Sequence, residues 1–287
     1  MMKLGIRTFE ISQDLDYALK VADEIGAKYV ELGFVWGKNV GDLTKDEIKK
    51  VKNTVKRWNI TVSCVAPGIF FGVPLRADSK QKSYWGSYDE HLQRLKHSIT
   101  IAKELDTNLV GVWGFANDIW LEGSPVIKEV LGDFWDMILK KFEGPLRIAE
   151  RENIILAIET CFINNPPTAS LAKKFIEKLG SDNLRVLWDP ANTLYFNEVP
   201  YPDGYNLIKE YIVHVHIKDG VVDLPNCSFT MCPPGQGQVK TYPEILRSLE
   251  EDGYQGAVCI DNEYVPEGGT LEDGTRICFD ELKKMVK

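Results

Sequence analysis

Four residues of types that commonly bind metal ions each stand at the end of a short apolar run in the second half of the chain. Glu159 follows IILAI, Asp189 follows LRVLW, His216 ends IVHVH, and Asp261 follows AVCI. Carboxylate oxygens and an imidazole nitrogen together suit Mn²⁺, Mg²⁺ or Co²⁺, and they are compatible with Zn²⁺. We therefore predict that these four side chains bind one divalent metal ion, with Mn²⁺ as the preferred ion.

The spacing of these residues indicates which elements must position them. The intervals between them are 30, 27 and 45 residues, which suit repeated units of strand, loop and helix with an insertion in the last unit. In a parallel barrel, side chains at the carboxyl ends of different strands meet at one rim. A single charged residue at a strand end is usually only solvated, but four in consecutive units favour a shared site.

The whole chain alternates between apolar strand-like runs and amphipathic helical stretches. Only the segment after Trp188 is ambiguous. The predicted strands begin at eight positions: Lys3, Lys28, Ile60, Asn108, Ile154, Leu184, Ile212 and Gly256. This order predicts an α/β fold, a single (β/α)8 TIM barrel over residues 1–287 with parallel strands and an active site at the C-terminal rim.

An open, doubly wound sheet would show the same alternation of strands and helices. However, no GxGxxG or Walker-type loop follows any of the predicted strands, and such loops are the usual reason for that fold. Their absence from the sequence also argues against a nucleotide cofactor.

Composition limits the partners and the compartment of the protein. The chain of 287 residues carries 34 Lys and Arg against 42 Asp and Glu, a net charge of −8, without a basic stretch. We therefore expect a small-molecule substrate and no nucleic acid. The start of the chain, MMKLGIRTFEIS, lacks a signal-peptide core, and no run is long enough for a bilayer. We expect a cytoplasmic protein without a membrane partner, and a homo-oligomer is possible.

Several motifs in the second half of the chain resemble one family. LAIET, LWDPAN, HVHIKD and PPGQGQVKTYPEILRSLEEDGYQGAVCIDNE are similar to segments of the xylose isomerase-like (sugar phosphate isomerase/epimerase) TIM-barrel superfamily. The resemblance is strongest between Ile154 and Glu263. It implies the metal ligands Glu159, Asp189 and His216, and a fourth ligand at position 261.

The chain departs from this family pattern at two positions. The family has Glu at the last ligand position, whereas this chain has Asp261, which is one methylene shorter. Glu263 lies on the same strand face and is the possible substitute ligand. Asn192 stands where the epimerases and endonuclease IV usually have a His. Because the chain has only 4 His in all, a three-zinc DNA-repair site is disfavoured.

The resemblance implies a divalent-metal-dependent isomerase or epimerase of a small sugar, ketose or polyol-derived hydroxyketone. In such enzymes two carboxylates exchange the α-proton of an enediolate, a role that falls on Glu159 and Asp261. A metal-dependent lyase or dehydratase of the inosose type is the alternative, because it begins with the same proton abstraction. A non-catalytic sugar-binding barrel is the third interpretation, and the two departures give it weight.

Four further residues are candidates for contacts with the substrate. Lys218 could stabilise an oxyanion or bind a carboxylate, or else pair with acidic residues inside the barrel. Trp113 could stack on a sugar or only cover the core. Glu31 could contact the substrate or support a metal ligand, as His214 is expected to do. Asn192 is the fourth candidate.

Two glycine-containing segments leave open whether the substrate carries a phosphate. The PPGQG segment and Gly268-Gly269 could offer backbone N–H groups to an anion. They are explained equally by ordinary turns, which we favour.

Overall fold

The computed structural model describes residues 2–76, 78–80, 82, 86–116, 133–226 and 228–286. Within these ranges, eight parallel strands form a closed barrel in which each strand pairs with its neighbours in sequence and the last pairs with the first. The strands are β1 (Lys3–Arg7), β2 (Tyr29–Leu32), β3 (Thr61–Ile69), β4 (Leu109–Val112), β5 (Ile155–Glu159), β6 (Leu184–Trp188), β7 (Ile212–Ile217) and β8 (Ala257–Ile260). All eight overlap the predicted runs.

Helices follow the strands in alternation, which confirms the predicted (β/α)8 TIM barrel. They are α1 (Leu15–Ile25), α2 (Lys45–Arg57), α3 (Tyr88–Glu104), α4 (Phe134–Glu152), α5 (Ala169–Leu179), α6 (Tyr205–Ile208), α7 (Tyr242–Glu251) and α8 (Leu271–Met285). Gly26 and Gly180 end α1 and α5 in the left-handed conformation, with φ of 88° and 63°. This is the termination that glycine at a helix-to-strand joint predicts.

The strands are apolar on both faces because helices cover the outside and side chains fill the inside. In β4 and β8 every residue is buried. Space inside the barrel is limited: a Cβ added at Gly5 would lie 2.6 Å from Cys259 Sγ and 2.6 Å from the Tyr29 carbonyl oxygen. Gly5 therefore lies where a larger side chain would not fit against Cys259 and the Tyr29 backbone.

The segment after Trp188 does not contain a long helix. A 3₁₀ helix covers Pro190–Phe196, and a π-helical turn at Pro200–Gly204 and the four-residue α6 follow before β7. Prolines at positions 190, 200 and 202 explain this, since proline lacks the N–H that helix interiors require.

Two antiparallel hairpins extend from the carboxyl side of the barrel. The first pairs Phe34–Val35 with Lys38–Asn39 after β2, and the second pairs Asp219–Asp223 with Ser228–Cys232 after β7. The second hairpin accounts for the insertion predicted from the 45-residue interval. None of the helices in the described ranges combines the length and apolarity that crossing a bilayer requires.

Candidate metal centre and active site

The four predicted metal ligands converge at the carboxyl ends of four consecutive strands. Glu159 is the last residue of β5, Asp189 follows β6, His216 is the penultimate residue of β7, and Asp261 follows β8. All four side chains are buried, and one ligand atom from each lies within 4.8 Å of the others. We call Glu159, Asp189, His216 and Asp261 the four-residue cluster.

The nitrogen that His216 presents to this cluster makes a metal ion a chemically suitable occupant. His216 Nδ1 lies 3.8 Å from Glu159 Oε1 and 3.9 Å from Asp261 Oδ2. It has no hydrogen-bond partner among the described residues, although His216 is 1% exposed. A buried nitrogen without a partner, facing carboxylates, is a group that a bound cation would satisfy.

Lys218 pairs with the acidic residues around it, as one of its two predicted roles requires. Its Nζ lies 3.0 Å from Asp189 Oδ2, 3.1 Å from Asp261 Oδ2 and 3.1 Å from Glu263 Oε1. Burial alone would lower the pKa of Lys218, but Asp189 and Asp261 outweigh it and raise that pKa well above its usual value. Lys218 is therefore a fixed positive charge beside the cluster.

Glu263, the predicted substitute for Asp261, lies outside the four-residue cluster. Its side chain is 53% exposed and contacts Lys218, whereas Asp261 is 3% exposed and faces His216. The geometry thus favours Asp261 over Glu263 as the fourth ligand.

Arg7, which the sequence analysis did not identify, holds the remaining oxygen of Asp261. Its Nη1 donates a hydrogen bond to Asp261 Oδ1, and its Nε lies 3.0 Å from Glu31 Oε1. Burial opposes the charged form of Asp261, but Arg7 and Lys218 outweigh it and lower the pKa of Asp261 well below its usual range. Arg7 is the last residue of β1, but it lies inside the predicted apolar run KLGIRTF, so the sequence pattern does not mark it as a strand end.

Two of the predicted substrate contacts are buried behind the cluster rather than open to a ligand. Asn192 is fully buried, and its Nδ2 donates to Asp189 Oδ2 at 2.9 Å and to the Thr160 carbonyl oxygen at 2.8 Å. Glu31 is 1% exposed and lies 2.8 Å from His216 Nε2. Asn192 therefore orients Asp189, and Glu31 contacts the far side of His216.

A cavity of about 600 Å³ opens above the cluster. Glu159, Asp261 and Lys218 contribute polar groups to its lining, and Trp113 contributes part of an aromatic wall. The ring centroid of Trp113 lies 5.3 Å from that of Phe71 in an edge-to-face arrangement. Apolar walls with a few convergent polar groups are typical of small-molecule sites.

The glycines of the PPGQG segment serve a turn, as we favoured. The backbone N–H groups of Gly235 and Gly237 each donate to Asp219 Oδ2 at 2.9 Å. Gly269 likewise donates its N–H to the Pro266 carbonyl oxygen at 2.9 Å. These donors are already used within the chain, so they give no support for a phosphate on the substrate.

Several solved structures resemble this chain in fold over almost its whole length. D-psicose 3-epimerase from Clostridium cellulolyticum H10, solved with D-tagatose, is 17% identical over 100% of both chains, with a TM-score of 0.71. The probable 3-DHS dehydratase AsbF from Bacillus anthracis is 15% identical over 98% of this chain and 99% of that one, with a TM-score of 0.73. A xylose isomerase-like TIM barrel protein from Mycobacterium smegmatis, solved in complex with magnesium, is 16% identical over 95% of this chain and 89% of that one, with a TM-score of 0.65. These likenesses concern the fold.

The family assignment comes from the sequence. No curated protein matches this chain, but the family model described as xylose isomerase-like TIM barrel matches residues 19–281. That range includes seven of the eight barrel strands and all of the four-residue cluster. The chain therefore belongs to the xylose isomerase-like TIM barrel family.

Proposed function

We propose that this protein is a divalent-metal-dependent isomerase or epimerase acting on a small sugar, a ketose or a polyol-derived hydroxyketone. The observation that carries the proposal is the four-residue cluster beneath the cavity, in which an unpartnered His216 Nδ1 faces Glu159 and Asp261. The Clostridium neighbour is a D-psicose 3-epimerase and the Mycobacterium neighbour was solved in complex with magnesium, which supports the same chemistry here. Mn²⁺ remains our first choice, with Mg²⁺, Co²⁺ and Zn²⁺ as alternatives.

In this proposal, different residues would bind the metal, transfer protons and cover the substrate. Glu159, Asp189, His216 and Asp261 would hold the ion, whose chemistry is to polarise a substrate carbonyl and stabilise negative charge. Glu159 lines the cavity and would remove the α-proton to give an enediolate. In an epimerase Asp261 would protonate the opposite face, after first taking up a proton from solvent. Trp113 would cover one side of the substrate and limit the access of water.

A dehydratase is the second candidate, and the contacts of Asp261 favour it. Both carboxylate oxygens of Asp261 are engaged, Oδ1 by Arg7 and Oδ2 by Lys218 at 3.1 Å. An epimerase needs a second proton donor on the opposite face of the enediolate, whereas elimination of a hydroxyl group needs one base and the departure of hydroxide. The Bacillus neighbour is described as a probable dehydratase. A non-catalytic sugar-binding barrel is the third possibility.

Metal analysis of the purified protein, followed by assays in D₂O, separates these functions. We expect close to one divalent ion per chain by mass spectrometry, and α-deuterium incorporation when a panel of ketoses and polyol-derived hydroxyketones is supplied. An epimerised product supports the first function, and an unsaturated or 2-keto product that absorbs ultraviolet light supports the second. Metal retention without turnover supports the binding barrel. A protein that takes up no metal after reconstitution contradicts the proposal.

Metal affinity should increase with pH because His216 must lose a proton before it can bind a cation. Burial lowers the pKa of His216, but Glu31 and Glu159 outweigh it and raise that pKa well above its usual value. His216 therefore holds its second proton to higher pH than an ordinary histidine, and below the raised pKa each unit of pH should change the affinity about tenfold. Titration calorimetry with Mn²⁺ between about pH 6 and 8, in buffers of different ionisation enthalpy, measures both the affinity and the proton released. Equal affinity across this range, without proton release, would contradict the expectation.

A further inference from the structure

Glu31 is a buried carboxylate that contacts the candidate metal ligand His216. It lies at Nε2, on the opposite side of the ring from the nitrogen that faces Glu159 and Asp261. It lies in β2, and its side chain is 1% exposed. Oε2 lies 2.8 Å from His216 Nε2 and 3.2 Å from His214 Nε2, while Oε1 lies 3.0 Å from Arg7 Nε. An ionised carboxylate is costly to bury without partners, and these three contacts offset that cost for Glu31.

We propose that Glu31 is a positioning residue that fixes the tautomer and ring orientation of His216, and that Arg7 holds Glu31 in place for this purpose. The inference rests on the proposed metal site. In this role Glu31 acts on the metal through His216 and does not itself contact the metal or the substrate.

The chemistry of the imidazole explains the assignment. A neutral histidine carries its proton on one ring nitrogen and a lone pair on the other. An ionised carboxylate only accepts hydrogen bonds, so the short contact with Glu31 places the proton of His216 on Nε2. In the neutral form that binds metal, the lone pair is then on Nδ1, the nitrogen that faces Glu159 and Asp261 and has no hydrogen-bond partner in the described part of the chain.

Arg7 connects the two sides of this arrangement. The pairing of β1 with β2 places Arg7 beside Glu31 in the sheet, and the guanidinium binds both Glu31 and Asp261. One side chain thus fixes the carboxylate that orients His216 and a carboxylate of the four-residue cluster. His214 is fully buried, and its Nε2 lies 3.2 Å from Glu31 Oε2, the oxygen that contacts His216. It therefore adds a further restriction on the position of the Glu31 carboxylate.

Glu31→Gln tests the role, because the amide keeps the size of the side chain but can present an N–H to His216 and stabilise the opposite tautomer. Removal of such a supporting carboxylate typically lowers metal affinity about 10–100-fold. We expect a loss of that size for Mn²⁺ in titration calorimetry. Glu10→Gln is the matched control, since Glu10 is also buried and lies 3.5 Å from Arg7 Nη1, but its described hydrogen bond is with the Asn262 N–H. We expect this control to bind Mn²⁺ nearly as tightly as the unmodified protein.

The outcomes separate this inference from the proposed function. If the unmodified protein binds Mn²⁺ and Glu31→Gln binds it equally well, Glu31 is only a structural partner of Arg7 and the inference is wrong. If the unmodified protein binds no divalent ion, the proposed function itself fails.

A measurement on the unmodified protein keeps the test decisive if Glu31→Gln does not fold. In protein with ¹⁵N-labelled histidine and saturating Mg²⁺, the His216 resonances should show a proton on Nε2 and a shift of Nδ1 on metal addition. A proton on Nδ1 in the metal-loaded protein would overturn the inference.

Discussion

Replacing Glu159 by glutamine is expected to reduce α-proton exchange by about 10²–10⁴-fold, the usual contribution of a general base. Glu159 lines the cavity, and within the four-residue cluster its oxygen lies 3.8 Å from His216 Nδ1. Glutamine keeps the shape of the side chain, but its amide cannot accept the proton and is a weaker metal ligand. The rate of deuterium incorporation from D₂O into a turned-over ketose measures the effect, at Mn²⁺ concentrations that saturate each protein.

Two comparisons show whether the loss of α-proton exchange is caused by removal of the general base. Glu267→Gln makes the same chemical change at an exposed position in the loop after β8 and should leave exchange unchanged. At saturating metal, the loss in Glu159→Gln should lie in kcat rather than in KM, because the base acts in the transition state. Exchange at the unmodified rate in Glu159→Gln would remove Glu159 from the mechanism and leave proton transfer to another group.

The four-residue cluster could be predicted from the sequence because each member directly ends or follows a strongly apolar run. Strand-end position is enough to infer a common rim once the fold is a parallel barrel. The same reasoning could not choose between Asp261 and Glu263, since both were expected on one strand face. Burial decides between them: Asp261 is enclosed among Arg7, His216 and Lys218, whereas Glu263 is half exposed.

The partners of the interior charges could not be read from a single sequence. Glu31 and His216 are 185 residues apart, and Arg7 and Asp261 are 254 apart. Their contacts depend on how far each side chain reaches across the barrel, which the strand pattern does not encode. Asn192 shows the same limit, because only the 3₁₀ helix after β6 turns its amide back onto Asp189. The sequence therefore predicts a substrate contact for Asn192, whereas the fold directs its amide to Asp189.

Asp219 illustrates how the hairpin after β7 is attached to the barrel. It is fully buried, and its two oxygens accept four backbone N–H groups, those of Gly220, Gly235, Gly237 and Val239, at 2.8 to 3.1 Å. A Cβ at Gly237 would lie 2.3 Å from Asp219 Oδ1, so the loop approaches the carboxylate as closely as a glycine allows. One side chain thus satisfies donors that the turn cannot satisfy itself.

Asp219→Ala is expected to lower the free energy of unfolding by about 4 kcal/mol, since an unpaired buried donor costs roughly 1–3 kcal/mol and some of the four would reach water. Urea unfolding followed by circular dichroism measures the change. Asp223→Ala is the matched control in the same hairpin, because Asp223 is less buried and the described hydrogen bonds of its side chain are with the backbone and side chain of Asn226. Its loss should stay below about 1 kcal/mol. Similar losses in the two variants would contradict the prediction, because they would mean that the four N–H groups find water when Asp219 is removed. A large loss confined to Asp219→Ala would show that this carboxylate holds the segment that follows the strand bearing His216.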